Sequence, residues 1–352
     1  MENKERNIQI DISRGIGIIL IVMGHTAFRY THFIYLFHVA IFFIIAGYLF
    51  KEEHSANIEE LKKFIFVKIK RLYIPFLIGN GICVILNNFF IDINLYSSAS
   101  HSYYTMKEVF INLLKVILFR KNTEMLGATW FLPILFWISA IYASIEYITR
   151  KNTSKQKNIV QLSVSLIFLI VGLYLAEKNV NIIRLQIFTC YIFFALGKII
   201  SKLKININDK MKTVVLIFCL IMLVILNSFG TIEISQNKYT NILYFISVSL
   251  LGWYFIYELS YFVSKIKIFT NILNYIGKNT MPILILHFIA FKIVNIIGVI
   301  ITKENITMIS VFPVAFKGEG MWIIYTIFGI IIPLLISRIK CNIKLKKKGQ
   351  VI

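Results

Sequence analysis

Residues 11–25 read Asp-Ile-Ser-Arg-Gly-Ile-Gly-Ile-Ile-Leu-Ile-Val-Met-Gly-His, an apolar run that carries an acid, a cation and an imidazole. On an α-helix of about 3.6 residues per turn, Asp11, Arg14 and His25 share one narrow face. A rise of about 1.5 Å per residue places His25 roughly 16 Å from Arg14 along the axis. A titratable group at that depth of a membrane span is costly, so its presence indicates function.

The rest of the chain is equally apolar. It has 352 residues, of which 58% are hydrophobic, and a mean hydropathy of +0.75, values typical of a polytopic membrane protein. We predict an all-α fold with about ten transmembrane helices in a single domain, 1–352. The apolar runs that define these spans lie near 15–30, 34–50, 72–91, 129–149, 159–176, 187–201, 213–230, 242–263, 281–302 and 321–339.

The basic residues predict the orientation. With a cytoplasmic N-terminus, most of the 38 Lys and Arg residues fall in inner segments, including a basic tail at 340–352. The positive-inside rule then places both termini in the cytoplasm. This bias, together with anionic lipid at the inner leaflet, accounts for the net charge of +21, so we predict membrane lipid as a partner and no nucleic acid.

The longest connection, residues 92–128, falls on the outer side in this topology. Within it, residues 106–119 have apolar side chains at helical spacing, with Glu108, Asn112 and Lys115 opposite. This pattern predicts an amphipathic helix at the outer leaflet. The helix either anchors the loop at the interface or forms a lid over an acceptor.

Four sequence blocks occur in an order that resembles the acyltransferase-3 family of integral membrane acyltransferases, and within it the group of fucose 4-O-acetylase-like and capsule O-acetyltransferases. The blocks are Asp11-x-x-Arg14 followed by His25, Phe37-His38 followed by Phe42-Phe43-Ile-Ile-Ala46-Gly47, Thr129-Trp130-Phe131-Leu132-Pro133, and Asn279-Thr280-Met-Pro282 followed by His287.

Two positions depart from the family pattern. Ala46 stands where many members have Ser, so no hydroxyl role is assigned there. The family's basic pair before the third span is Arg-x-x-Arg, whereas this chain has Lys68-Ile-Lys70-Arg71. The charge is kept, but a lysine at position 68 lacks the bidentate geometry of arginine.

The resemblance implies an O-acyltransferase that moves acetyl from cytosolic acetyl-CoA to a sugar hydroxyl of a cell-surface or lipid-linked polysaccharide. It implies a multi-pass protein of the cell membrane, and the Ile-, Lys- and Asn-rich composition is typical of an AT-rich bacterium. The alternative from another class is a non-catalytic transporter or flippase of a glycan intermediate, because buried polar groups also mark transport paths. The four cysteines lack metal-ligand spacing, so we predict reduced thiols and no metal.

The candidate catalytic residues are His25, Asp11 and Arg14, and among them His25 would carry the proton transfer. A neutral imidazole has a pKa suited to accepting the proton of a sugar hydroxyl as the oxygen attacks a thioester. Alternatively, the imidazole first accepts the acyl group itself. The sequence leaves both routes open.

Asp11 and Arg14 lie three residues apart and can form an ion pair on the helix surface. Arg14 is either an ordinary flanking cation or a ligand of the donor, and together with Lys68, Lys70 and Arg71 it would recognise the phosphates of acetyl-CoA. We therefore predict donor binding at these four residues.

The remaining candidates are His38, Trp130 and His287. His38 is predicted near the outer ends of the first two spans, as an acceptor-binding or relay partner of His25 or as a structural hydrogen-bonding group. Trp130 either lines the acceptor cavity or anchors its span. His287 is predicted at a shallow depth near the cytoplasmic end of its span, where it would contact the donor. Lys292 is predicted to snorkel or to pair.

Overall fold

The computed structural model describes residues 7–178, 180, 184–203 and 207–349, with side chains described up to residue 342. This part of the chain is mostly helical, with almost no strand. Its α-helices are α1 (Ile8–Gly24), α2 (Thr31–Tyr35), α3 (Ala40–Tyr48), α4 (Ile58–Lys68), α5 (Ile74–Ile85), α6 (Asn87–Asp92), α7 (Met106–Ile117), α8 (Phe131–Ile148), α9 (Ser154–Glu177), α10 (Gln186–Ile200), α11 (Asp209–Leu226), α12 (Ile242–Ser264), α13 (Lys267–Lys278), α14 (Thr280–Thr302) and α15 (Met321–Gly349).

Shorter elements join these helices. The 3-10 turns are Glu52–Ser55, Glu124–Trp130, Ile234–Gln236 and Ile306–Ser310, and a π-helical turn spans Ile69–Tyr73. Two strands, β1 (Ile232–Glu233) and β2 (Lys238–Tyr239), pair antiparallel with Ile232 opposite Tyr239.

Six helical segments of the described chain are long and apolar enough to cross a membrane, so the chain is a membrane protein. They are Thr31–Tyr48, Glu124–Ile148, Ser154–Glu177, Ile242–Ser264, Thr280–Thr302 and Met321–Asn342. Each coincides with a predicted span. The count of ten and the cytoplasmic termini stay predictions, and of the predicted tail, residues 350–352 lie outside the described part.

The other four predicted spans coincide with helices that are shorter, interrupted or more charged. The run at 72–91 divides between α5 and α6, and α10 has 15 residues. The first turns of α11 contain Asp209, Lys210 and Lys212. An apolar run in sequence therefore does not guarantee one continuous helix, because local turns interrupt it.

The first helix lies earlier in the chain than the predicted span at 15–30. It begins at Ile8, where the Asn7 side chain accepts a hydrogen bond from the Ile10 amide, and it ends at Gly24. Asp11 in the first turn suits the positive end of the helix dipole. His25 directly follows the helix, at the first position of the turn 25–27.

The chain divides into two compact units. Unit 1 comprises the described residues of 1–17, 32–76 and 130–270, and unit 2 comprises those of 18–31, 77–129 and 271–352. In unit 1, α10 packs along α3, α8 and α9. In unit 2, α14 packs along α15.

Helix α7 of unit 2 lies in the segment for which the sequence predicts an amphipathic helix. Thr105 and Glu108 form a capping box at its N-terminus. Met106 and Phe110 are exposed on one face, whereas Asn112 is buried and accepts a hydrogen bond from Lys121. The exposed apolar face is the arrangement expected of an interfacial helix.

Two glycines allow α3 and α10 to approach backbone to backbone. A Cβ atom at Gly47 would clash with the Phe194 carbonyl, and one at Gly197 would clash with the Ile44 carbonyl. Small residues at such crossings let membrane helices gain close packing.

We therefore expect Gly197→Ala to destabilise the protein by about 3 kcal/mol, because the methyl group must displace backbone rather than a side chain. The measurement is the monodisperse fraction of detergent-purified protein after heating. The control is Gly81→Ala, whose Cβ would lie 3.8 Å from Leu113 Cδ2, an ordinary contact. Equal melting of the two variants would contradict the close crossing.

Candidate active site

His25 lies in unit 2, in the turn that follows α1. Its amide donates to the Val22 carbonyl at 3.1 Å, which continues the helical path for one more residue. The side chain is half-buried. Its ring stacks on that of His287, with the centroids 5.5 Å apart and the planes at 20°, and it also contacts Phe288 with a centroid distance of 4.8 Å. Two imidazoles from distant parts of the sequence therefore meet.

His287 projects from α14 and is fully buried. Its Nδ1 lies 2.9 Å from the Ile283 carbonyl oxygen, one helical turn earlier. Because a carbonyl only accepts hydrogen bonds, Nδ1 carries the proton, and in the neutral ring Nε2 keeps its lone pair. Nε2 is buried and has no hydrogen-bond partner among the described residues.

Aromatic rings surround the two imidazoles. Phe288 contacts both of them, and Phe291 packs edge-on against His287 at 5.6 Å. Phe312 contacts Phe288 from the loop between α14 and α15, at 4.7 Å. These apolar neighbours lower the local dielectric constant, so electrostatic interactions there are stronger than in water.

The arrangement can accept a proton. His25 is the more accessible imidazole, and His287 is held in one orientation by its carbonyl partner. A positioned imidazole is the commonest general base in proteins. Sequence spacing did not predict that these histidines meet, although each closes an apolar motif block.

Unit 1 contains the other predicted site residues. Arg14 Nη1 lies 3.6 Å from Asp11 Oδ1, so the two side chains form the ion pair that their spacing predicts. The Asp11 side chain is only 5% exposed. On the same helix, Ser13 donates a hydrogen bond to Ser260 Oγ at 2.9 Å, which fixes α1 against α12.

The predicted basic cluster surrounds the π-helical turn Ile69–Tyr73, in which the Ile74 amide donates to the Ile69 carbonyl. Such turns are rare and often occur at functional sites. Burial lowers the pKa of Lys68, the nearby Arg71 cation lowers it as well, and together they bring it to about 8. Lys70 lies over the Phe66 ring at 4.3 Å. This cluster of positive charges favours the binding of an anion.

His38 and Trp130 also lie in unit 1. His38 occupies the break between α2 and α3, where its Nδ1 lies 3.0 Å from the Ile34 carbonyl and its ring stacks on Tyr35. Trp130 ends a 3-10 turn and is half-buried. Their predicted roles at the acceptor stay predictions.

The tautomer of His287 is directly testable. We expect ¹⁵N NMR of histidine-labelled protein to show two buried imidazoles protonated at Nδ1, those of His38 and His287, because the Ile34 and Ile283 carbonyls each require a donor, with the His287 ring not protonated at Nε2. The His287→Phe variant assigns the resonance by its loss, and His32→Phe, at an exposed position, serves as the control. A protonated Nε2 on that ring would contradict the assignment.

A family model described as "Acyltransferase domain" matches residues 7–338, nearly the whole chain. No curated protein and no solved structure matches the chain. The matched range contains the apolar helices, the paired imidazoles and all four motif blocks, and the chain therefore belongs to the acyltransferase-3 family of membrane acyltransferases.

Proposed function

We propose that this membrane acyltransferase transfers acetyl from cytosolic acetyl-CoA to a sugar hydroxyl of a cell-surface or lipid-linked polysaccharide, in the plasma membrane of a bacterium. The stacking of His25 on His287 is the observation that carries the proposal. Acyl transfer to a hydroxyl needs a base at the reacting oxygen, and this pair supplies one in an apolar setting.

In the proposed step, the hydroxyl oxygen attacks the thioester carbonyl carbon while His25 accepts the hydroxyl proton. A carbon–oxygen bond forms, the carbon–sulfur bond breaks, and the proton passes from His25 to the departing thiolate. In the alternative route, a His25 nitrogen attacks the thioester carbonyl carbon, the carbon–sulfur bond breaks and the thiolate leaves. The hydroxyl oxygen then attacks the acyl-imidazole, the carbon–nitrogen bond breaks, and the hydroxyl proton passes to the released imidazole. Both routes require an unprotonated nitrogen on His25.

His287 supports either route. Its Nδ1 is engaged by the Ile283 carbonyl, so its orientation is fixed and its second nitrogen remains an acceptor. A ring held in this way lowers the cost of organising the site during the reaction. We assign it to the thioester end of the donor, beside His25.

For the donor phosphates we assign Arg14, Lys68, Lys70 and Arg71. Guanidinium and ammonium groups make strong charge-assisted hydrogen bonds to phosphate. The proximity of Lys68 to Arg71 is unfavourable without an anion and favourable with one. Asp11 orients Arg14 through their ion pair.

For the acceptor we assign His38 and Trp130. His38 is buried at a break in the helix, where backbone groups are less regularly paired than in a continuous helix. Trp130 offers a half-buried aromatic surface and an indole N–H.

We expect His25→Gln to reduce glycan O-acetylation at least about 100-fold, because general-base catalysis typically contributes that factor or more. The readout is the base-labile acetyl signal in proton NMR of the surface polysaccharide, from cells with matched membrane levels of each variant. His32→Gln is the control, since His32 is exposed and hydrogen-bonded to Asn227.

The same membranes are assayed for acetyl-CoA cleavage. An unchanged acetyl signal in His25→Gln would overturn the role of His25. Wild-type membranes that neither cleave acetyl-CoA nor acetylate the glycan would overturn the enzyme assignment and favour the transporter alternative.

The donor site should depend on pH. With a pKa of about 8, the Lys68 ammonium is charged at pH 7 and largely neutral at pH 9. We expect the KM for acetyl-CoA to rise roughly tenfold over this range, as one charge-assisted hydrogen bond is lost. Lys68→Arg should abolish the rise, because arginine stays protonated.

Lys68→Met should show a raised KM at both pH values. Lys63→Met is the matched control, because Lys63 is exposed and paired with Glu60 on the same helix. A rise in KM that persists in Lys68→Arg would assign the pH dependence to another group.

A further inference from the structure

Lys292 is buried in unit 2, and the hydrogen bonds that it donates show that it is protonated. Its Nζ donates to the carbonyl oxygens of Ile309, Ser310 and Val311 at 3.1, 2.9 and 3.1 Å. Three acceptors require three N–H bonds, and only the ammonium form has three. Lys292 is therefore a buried cation whose hydrogen-bonding capacity is fully used by backbone.

Asn295, one turn further along α14, holds the same loop. Its Nδ2 donates to the Ile309 and Val311 carbonyls, and its Oδ1 accepts from the Tyr325 hydroxyl at 2.6 Å. These bonds fix the loop that carries Phe312, which packs on Phe288 beside the two imidazoles. The loop and the active-site wall are thus one rigid arrangement.

Glu124 and Lys292 interact electrostatically through space. Glu124 Oε2 lies 3.7 Å from His101 Nε2. Burial lowers the pKa of His101, so this imidazole is neutral near pH 7. Its ring stacks on Tyr96 with a centroid distance of 4.3 Å.

The second carboxylate oxygen, Glu124 Oε1, is buried and has no hydrogen-bond partner among the described residues. Lys292 compensates the negative charge but directs all three of its protons at carbonyls. A buried carboxylate oxygen left without a donor is costly, which indicates that a ligand supplies one.

Glu124 lies in a turn that packs beside the two imidazoles. It begins the 3-10 turn Glu124–Trp130, and Gly127, one turn later, packs on Phe288: a Cβ built at Gly127 would lie 3.4 Å from the Phe288 ring. Phe288 contacts both His25 and His287. In the predicted topology Glu124 is also on the outer side, from which a glycan would approach.

We propose that Glu124 is a binding residue for a hydroxyl group of the acceptor, in a subsite formed with His101 beside the imidazole pair. This subsite rests on the proposed function, and in it Glu124 is the side chain that binds the glycan acceptor. A neutral polyol fits it best, because Lys292 already balances the carboxylate and disfavours a cation, while Glu124 itself disfavours an anion.

The test uses membrane vesicles that contain the full chain, with acetyl-CoA and the cells' own surface polysaccharide after mild-base deacetylation as the probe. We expect Glu124→Gln to raise the KM for polysaccharide, in hexose equivalents, at least tenfold. The kcat, the KM for acetyl-CoA and acceptor-free acetyl-CoA hydrolysis should stay within twofold of wild type. Glu304→Gln, at an exposed position in unit 2, is the control.

Glu124→Asp keeps the negative charge for Lys292 and shortens the reach of the carboxylate by one carbon. We expect it to fold and to raise the polysaccharide KM as well. If both variants keep the wild-type KM, Glu124 is only the counter-ion of Lys292 and the subsite is wrong.

A fall in kcat and thermal stability without a change in polysaccharide KM would lead to the same conclusion. Wild-type vesicles that transfer no acetyl would instead overturn the proposed function, and the subsite with it. The two failures are therefore distinguishable.

Discussion

The cost of an unpaired polar group in an apolar interior constrains both units of this protein. Such a group cannot form a hydrogen bond with water, so it must form one within the chain. In unit 1, the Gln161 side chain accepts from the Tyr191 hydroxyl and donates to Glu146, which in turn lies 3.8 Å from Lys157. In unit 2, Lys292 satisfies the same requirement with backbone carbonyls.

This constraint separates structural from functional polar groups. Lys292 uses every donor it has, and its role is to hold a loop in place. His287 has one hydrogen-bonded nitrogen, and both His287 and Glu124 have one buried atom without a hydrogen-bond partner in the described chain. His287 is in ring contact with Phe288, and Gly127, in the turn that Glu124 begins, packs on the same ring. Buried polar atoms without a hydrogen-bond partner also occur elsewhere in the described chain, at Trp253 and Asn274 for example, so it is the position beside the imidazole pair that distinguishes these two.

Some of this could be predicted from the sequence. Six of the ten apolar runs coincide with helices that are long and apolar enough to cross a membrane, because hydropathy reports directly on the cost of burial in lipid. The spacing of Asp11 and Arg14 predicted their ion pair, since helical geometry fixes neighbours three residues apart. The bounds of the first span differ: the apolar run was placed at 15–30, whereas α1 extends from Ile8 to Gly24 and includes Asp11 and Arg14, as their predicted pairing on one helix requires.

What the sequence could not supply is the choice of partners between distant helices. Nothing in the spacing of residues 25 and 287 shows that their rings stack, and a shallow depth for His287 gave no indication of it. Glu124 was missed for the same reason. Its significance depends on where the three protons of Lys292 point, which is a property of the folded loop at residues 309–311.

The π-helical turn Ile69–Tyr73 has a consequence for how this protein varies among its relatives. A π turn contains one residue more than an α turn, so it corresponds to a single-residue insertion in an otherwise regular helix. A relative that is one residue shorter here would keep the same basic amino acids but rotate those that follow by about 100° around the axis. Segment length, as well as the choice between lysine and arginine, would then decide in which direction these basic side chains point.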